Sequence, residues 1–235
     1  MDRWRQLFGE QRPLIGVIHL PPLPGSPGWG GDMDAVEAWA LADAQAYASG
    51  GATAVLVENF GDHPFFPHQT PPETVAAMGR IATAVVRAVP LPVGINVLRN
   101  DGAAAMAVAV ASGARFIRVN VLSGAMVTDQ GLIQGCAARL LRQRRLLAAD
   151  HVAVLADVLV KHALPLTPLP ASMAVQDTLE RGGADGVIVS GDSTGTPAEP
   201  EILLKPAMPP GEPLCSSAAA LGQPPQTTWV PCVTG

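Results

Sequence analysis

The sequence predicts an α/β domain of the parallel β/α barrel type, and three similar segments carry this prediction. Each segment ends a helix with a small-residue, Gly and Ala turn, continues as a strand rich in β-branched residues, and finishes in polar side chains. The segments are residues 50–59, 112–120 and 182–191. The intervals from Ala52 to Ala114 and from Ala114 to Ala184 are each long enough for two βα units of roughly 30 residues.

The same segments predict where the functional groups lie. A glycine just past a helix end readily takes the left-handed conformation that terminates the helix. An uninterrupted apolar run is typical of a strand that is buried on both faces. In parallel β/α proteins, binding and catalytic residues collect at the carboxyl ends of the strands. The polar residues that follow each strand are therefore the candidates for a site.

The composition fits one large domain and excludes several classes of partner. The chain has 235 residues, of which 48% are hydrophobic and 15% charged, against about 25% charged in a typical domain, so a large buried core is expected. The net charge of −5 predicts that nucleic acid is not a partner. No apolar run approaches the roughly 18 residues of a membrane span, and none is expected.

The termini and cysteines set the expected compartment. Residues 1–12 contain no apolar stretch of the kind that a secretory signal needs. The three cysteines, Cys136, Cys215 and Cys232, have irregular spacing that matches neither a disulfide framework nor a metal site. We expect a cytoplasmic protein with no metal and no cofactor.

Six strands separated by helices follow from the pattern of apolar residues and breakers. The strands are predicted at residues 14–18, 54–57, 92–97, 115–119, 152–156 and 186–189. Helices are predicted at residues 35–48, 72–89, after 101, at 139–145, at 171–181 and at 199–204. Asp32 or Asp34 is expected to cap the first helix, and Asn100 or Asp101 the third. The proline, glycine and polar stretches at residues 19–31, 59–72, 122–132 and 160–170 are predicted to be irregular loops.

The pattern stops at Lys205. The remaining residues are rich in proline and contain two charged residues, Lys205 and Glu212. We predict a barrel portion at residues 1–204 and an irregular tail at 205–235 that adds no seventh or eighth strand. The barrel would then be incomplete, with about six of eight βα units and with the first and sixth strands as unpaired edges.

Polar side chains end all six predicted strands. One such residue is usually a local capping group, but polar residues at every strand end predict a shared ligand-binding pocket. In strand order these residues are His19; Glu58 and Asn59; Asn96 and Arg99; Arg118 and Asn120; Asp157; and Ser190.

The densest group of ionisable residues follows the fifth strand. Asp157, Lys161 and His162 lie within six residues, and a lysine beside an aspartate can serve as a general base or as a phosphate contact. A surface ion pair on a loop is the alternative. With Glu58, we take Asp157 and Lys161 as catalytic candidates and His162 as a ligand contact.

The segment after the sixth strand offers hydroxyl groups and unhindered backbone amides at Ser190, Gly191, Thr194 and Gly195. These groups could cradle a phosphate, although a plain turn fits equally well. The segment lacks the lysine of a nucleoside-triphosphate loop.

Two further polar groups are interpreted as solvated surface. The first consists of Asp62, His63 and His68 in the second long loop. The second is the basic end of the fifth helix, which complements the helix dipole and for which contact with an anionic membrane or partner is the alternative. Its residues are Arg139, Arg142, Arg144 and Arg145.

Six ordered motifs resemble those of the BtpA/SgcQ family. They occupy residues 13–27, 57–65, 94–101, 116–120, 156–163 and 190–195, and the resemblance covers roughly residues 10–204. It implies a TIM barrel of the ribulose-phosphate-binding type. The tail departs from the family, whose members continue with a seventh strand, a Gly-Ser-Gly loop and an eighth strand. Relative to them, residues 205–235 look frame-shifted or replaced.

The resemblance implies two roles. Cyanobacterial members are associated with thylakoid membranes and stabilise photosystem I reaction-centre proteins, which implies a peripheral assembly factor. The alternative is an enzyme that binds a small phosphorylated metabolite at the carboxyl face of the barrel. Such an enzyme would resemble a sugar-phosphate or phosphoribosyl isomerase, or a nucleosidase.

Overall fold

The computed structural model describes residues 3–9, 13–190, 213–219 and 228–234. Its strands form one barrel and one small separate sheet. In chain order they are β1 (Leu14–His19), β2 (Ala54–Glu58), β3 (Val93–Asn96), β4 (Phe116–Val119), β5 (Ala125–Thr128), β6 (Gly131–Gln134), β7 (Ala153–Val158), β8 (Ala163–Pro165), β9 (Gly186–Ser190), β10 (Pro213–Ala219) and β11 (Thr228–Thr234).

The six strands that the sequence predicts form a continuous parallel part of the barrel. Strands β1, β2, β3, β4, β7 and β9 are neighbours in that order, and every pair among them is parallel. The predicted fold class is therefore confirmed: the chain is an α/β protein with a TIM-barrel-like sheet in which the six predicted strands are parallel, against eight parallel strands in a complete barrel.

The helices largely follow the prediction. They are α1 (Arg3–Phe8), α2 (Met33–Ser49), α3 (Pro72–Ala88), α4 (Gly102–Ser112), α5 (Ala137–Leu146) and α6 (Ala171–Gln176), which continues as a π-helical turn over Asp177–Arg181. The Asp32 carboxylate caps α2, and Asp101 caps α4 by accepting a 2.9 Å hydrogen bond from the amide of Ala104. Helix α1 was not predicted, and the helix predicted at 199–204 lies outside the described residues.

The prediction that the tail adds no strand is wrong. Strand β10 runs parallel to β9, and β11 turns back antiparallel to both β10 and β1. The hairpin therefore covers the edges of β1 and β9, which we had expected to remain unpaired. Strands pair through their backbone amide and carbonyl groups. A strand can therefore form without the alternation of apolar side chains from which strands are predicted.

Two loops that we predicted to be irregular contain strands. Strands β5 and β6 form a hairpin within the segment after β4, and β8 in the segment after β7 joins it to give the order β6-β5-β8. All three strands are three or four residues long, too short for a periodic signal. This small sheet lies on the face of the barrel where the parallel strands end.

Apolar side chains fill both sides of the barrel wall. On the inside, residues such as Ile15, Leu56 and Phe116 pack with Trp4 and Phe8 of α1. On the outside, the alternate residues of the same strands pack against α2, α3 and α4. Helix α1 thus plugs the amino end of the barrel, and the opposite end is left to polar side chains.

Helix α1 is also held by an ionic cluster around Asp185. The Asp185 carboxylate accepts hydrogen bonds from Arg3 at 2.9 Å, from Arg144 at 2.8 Å and from the backbone amide of Val154 at 2.9 Å. Arg144 was interpreted as a solvated residue, and this is wrong because its side chain is largely buried in this cluster. The exposed Arg139, Arg142 and Arg145 agree with that interpretation.

The hairpin's role in closing the barrel can be tested by removing it. In a chain that ends at residue 212, we expect the amides of β1 near Gly16 to lose protection from hydrogen exchange, because their antiparallel partner is gone. The exposed strand edges should also increase aggregation. Strands β3 and β4 lie on the opposite side of the ring and provide the internal control. Equal protection of β1 in the full and shortened chains would contradict this closure.

Candidate functional site

Four polar side chains stand in one row across the barrel wall. The backbone register pairs His19 of β1 with Glu58 of β2, Glu58 with Asn96 of β3, and Asn96 with Arg118 of β4. Because side chains alternate along a strand, the residues two positions earlier, such as Val17, Leu56 and Phe116, share the inner face. The row therefore forms the polar top layer of the barrel interior.

Arg118 joins two buried carboxylates in this layer. Its guanidinium lies 3.4 Å from Glu58 Oε2 and 3.2 Å from Asp157 Oδ2, and its Nε donates to both oxygens of Asp157 at 3.2 to 3.3 Å. Glu58 and Asp157 are each 5% exposed. Buried charges require this kind of pairing, since leaving one unpaired is strongly unfavourable.

Two asparagines extend the network. Asn120 Nδ2 donates to Asp157 Oδ2 at 2.6 Å, and Asn96 Nδ2 donates to Asn120 Oδ1 at 3.2 Å. Among the predicted strand-end residues, Asn96 Oδ1 and Ser190 Oγ are buried and have no hydrogen-bond partner within the described part of the chain. Buried polar atoms are normally satisfied, so these two are available to a ligand or water at the strand ends.

On the other side of Glu58 lies His19. The Nε2 atom of His19 is 3.5 Å from Glu58 Oε1. The imidazole ring stacks on Phe60, with ring centroids 4.5 Å apart and an angle of 26° between the planes. Phe60 was not among the predicted site residues, because a lone aromatic residue in a loop gives no signal.

Arg99 and Lys161 bring two more cations to this end of the barrel. Arg99 donates through Nη2 to the backbone oxygen of Lys161 at 2.6 Å, which ties the loop after β3 to the loop after β7. The Lys161 ammonium is half-buried and makes no hydrogen bond or ion pair within the described part of the chain. Leu159 and His162 flank it with φ of 51° and 57°, a strained region for such residues.

The two buried carboxylates differ in acidity. Burial alone would raise the pKa of Glu58, but the His19 hydrogen bond and the charges of Arg118 and Arg99 outweigh it and lower the pKa. For Asp157, burial dominates and raises the pKa despite Arg118, Arg99 and Asn120. Glu58 is therefore the stronger acid of the two, and Asp157 is the weaker one.

The pKa of the Lys161 ammonium is also shifted from its ordinary value, and it is lowered. Burial and the positive charge of Arg118 lower its pKa, and the carboxylates of Asp157 and Glu58 offset this only in part. A raised carboxyl pKa and a lowered amine pKa in one cluster are typical of groups that exchange protons with a ligand.

Other predicted residues lie elsewhere. Both ends of the Asn59 amide are used internally: Oδ1 accepts from the amide of Leu98 at 2.7 Å, and Nδ2 donates to Asp62 at 2.9 Å. His162 is exposed on the loop surface. Gly191, Thr194 and Gly195 lie outside the described residues.

Asp62 corrects one interpretation. We took it to be a solvated loop residue, but it is buried and also accepts a 2.7 Å hydrogen bond from the amide of Leu23. It thereby joins the loops after β1 and β2, a contact between distant segments that the sequence does not signal. His63 and His68 are exposed, as expected.

A cavity of about 330 Å³ opens beside the polar layer. Asn120 and Asp157 form part of its wall, and the small sheet, the loop after β7 and α6 supply the rest. Its hydroxyl-bearing residues Ser123, Thr167 and Thr178 were not among the sequence candidates. Across the ranges that the structure describes, no group of three or more histidine, cysteine, aspartate and glutamate residues could hold a metal ion.

The fold and this polar layer define an α/β barrel protein with a candidate small-molecule site at the carboxyl ends of its parallel strands. The chain belongs to the BtpA family, whose model matches residues 10–208. Within the described residues, no helix is both long enough and apolar enough to cross a membrane.

Curated relatives come from distant organisms. The chain is 54% identical over 198 residues to the photosystem I biogenesis protein BtpA of Synechocystis, covering 84% of this chain and 69% of that protein. It is 50% identical to the uncharacterized protein PF0860 of Pyrococcus furiosus, covering 85% and 75% of the two chains. It is 33% identical to the uncharacterized mitochondrial protein F13E9.13 of Caenorhabditis elegans, covering 85% and 75%.

Among solved structures, the chain is similar to a 7,8-dihydropteroate synthase from Vibrio fischeri. The identity is 16% and the TM-score is 0.44, and the match covers 75% of this chain and 61% of that one.

The lowered pKa of Glu58 predicts a pH-dependent effect of Glu58→Gln. At pH 7 the substitution should lower the free energy of unfolding by about 1–3 kcal/mol, because Arg118 loses a buried charged partner. A carboxylate with a depressed folded pKa stabilises above its unfolded value of about 4.3, and this stabilisation is lost as the pH falls through the folded pKa. The difference between wild type and variant should thus stay constant from pH 7 to pH 5 and shrink below about pH 4.

Chemical denaturation at several pH values measures this difference. The exposed residue Glu73 provides the control, since Glu73→Gln should leave stability nearly unchanged at every pH. A Glu58→Gln variant that is as stable as wild type at pH 7 would contradict the electrostatic role of Glu58.

Proposed function

We propose that the polar layer binds a small phosphorylated metabolite and is equipped to transfer protons to and from it. The half-buried Lys161 ammonium carries this proposal, because it has no ionic partner in the described part of the chain and because the hydrogen bond from Arg99 to its backbone oxygen places it at the cationic end of the barrel. A desolvated cation without a fixed partner at a strand end is a suitable contact for an anionic group.

The three cations of the site support an anionic ligand. Arg99, Arg118 and Lys161 contribute positive charges beside the carboxylates of Glu58 and Asp157, and Asp129 is a further anion near Arg99. A phosphate group could accept hydrogen bonds from the Lys161 ammonium and from the guanidinium groups.

The acid–base part of the proposal rests on Asp157 and Lys161. Their pKa values are displaced toward each other, that of Asp157 upward and that of Lys161 downward. Groups that titrate closer to neutrality give and take protons more efficiently in a reaction at pH 7. Glu58, held as an anion, orients His19 and Arg118 around the ligand.

Inorganic phosphate tests the anion site directly. Isothermal titration calorimetry with wild type, Lys161→Ala and Arg118→Ala should give affinities about tenfold weaker in each variant, because each loses one charge-assisted contact. Arg142→Ala removes an exposed arginine from α5 and is the matched control, with unchanged affinity expected. Phosphate binding that is the same in all four proteins would overturn the anion site.

The photosystem I role is the second candidate. We propose that, in a photosynthetic source, the protein supports photosystem I biogenesis as a peripheral factor at the thylakoid membrane, and otherwise works in the cytoplasm. The name of the Synechocystis relative favours this candidate. Several other relatives come from archaea and a nematode, which lack photosystem I, so a metabolite site would account for the wider family.

The two candidates can be separated in one strain. Deletion of the gene in a photosynthetic source should lower the amount of photosystem I reaction-centre subunits, measured by immunoblotting. If the metabolite site regulates the assembly role, Lys161→Ala should fail to restore these subunits, whereas Arg142→Ala should restore them. Normal subunit levels in the deletion strain would rule out the assembly role.

A further inference from the structure

The cavity beside the polar layer has walls of two kinds. Most of its lining is apolar and comes from the small sheet, the loop after β7 and α6; examples are Met126, Leu166, Leu169 and Ala174. At one end, the buried side chains of Asn120 and Asp157 belong both to this lining and to the ionic network of Arg118. The cavity and the polar layer therefore meet at Asn120 and Asp157.

The charges of the lining decide which part of a ligand can enter. Asp157 and Asp177 are its charged residues, and no lysine or arginine is among the lining residues that the structure describes. A phosphate or carboxylate group is disfavoured there, since it would meet negative charge and no cation. The cations Arg99, Arg118 and Lys161 all belong to the polar layer instead.

The size of the cavity is that of a small-molecule site. A volume of about 330 Å³ falls at the lower end of the range for small-molecule sites, roughly 300–1,000 Å³. Such sites also combine apolar walls with a few polar groups, and Thr167, Thr178 and Asn120 supply polar groups to this lining.

We propose that this cavity holds an uncharged, largely apolar ring of the ligand, while the ligand's anionic end lies against Lys161, Arg99 and Arg118. The proposal rests on the proposed function and narrows it to phosphorylated compounds that carry a ring of about this size. Asp157 stands at the junction, where its carboxylate holds the side chains of Arg118 and Asn120 in place.

Phenyl phosphate and inorganic phosphate are the probes. In wild type, calorimetry should give phenyl phosphate an affinity about 10-fold to 100-fold higher than that of inorganic phosphate, because the ring leaves water for an apolar cavity. Ala125→Phe places a bulky side chain on a half-buried lining position, and should erase this advantage while leaving the affinity for inorganic phosphate unchanged. Leu169→Ala removes part of the apolar wall of the cavity, and it should reduce the preference for phenyl phosphate over inorganic phosphate severalfold.

The matched control is Ala163→Phe. Ala163 is also a half-buried alanine of the small sheet but does not line the cavity, so the preference for phenyl phosphate should persist. Retained binding of inorganic phosphate in each variant reports that the site remains folded.

Three results would overturn the proposal. Equal affinities for the two probes in wild type would remove the ring subsite and leave the anion site standing. Loss of the preference in Phe60→Ala, together with its persistence in Ala125→Phe, would place the ring on the His19 and Phe60 stack instead. Failure of both probes to bind would reject the anion site itself, and with it the ring subsite.

Discussion

The pairing of Arg118 with two buried carboxylates is the interaction on which the upper half of this barrel depends. Glu58 and Asp157 come from strands on either side of β4, and both are almost completely withdrawn from water. Neither could remain ionised there without a cation, because desolvation of a single charge costs several kcal/mol. Arg118 reaches both, and its own burial is offset by the same contacts. Arg118 therefore allows β2, β4 and β7 to end in buried charged side chains whose charges largely offset one another.

Strand alternation connects this layer to the core beneath it. Phe116 lies two residues before Arg118 and Gly94 two residues before Asn96, so all four face the barrel interior. A Cβ atom on Gly94 would lie 2.1 Å from the Phe116 ring, which means that the ring occupies the space above this glycine. Phe116 in turn contacts Phe8 of α1 edge to face, with centroids 6.1 Å apart. The position of Arg118 is thus supported from the amino end of the barrel by a column of aromatic residues.

Most of the parallel sheet could be predicted from sequence because its signals are local. Apolar strands, glycine turns and the caps at Asp32 and Asp101 each depend on a few neighbouring residues. The candidate residues at strand ends followed from the rule that parallel strands end on one face. Asp62, Phe60 and the strands of the small sheet escaped prediction because their contacts join segments that are far apart in the chain. The closing hairpin escaped for a related reason: backbone pairing with β1 and β9 leaves no periodic trace in the side chains.

That hairpin breaks the rotational symmetry of the ring. A complete barrel offers eight strand ends and eight following loops at its functional face, and those after the seventh and eighth strands commonly bind phosphate. Here β11 runs antiparallel to β1, so at this face β10 ends and β11 begins, and one connection replaces two loops. The cationic side chains Arg118, Arg99 and Lys161 come instead from β4 and from the loops after β3 and β7. The three cations therefore lie on the β3, β4 and β7 side of the ring, and the other side reaches the charged groups through His19 of β1, which pairs with Glu58.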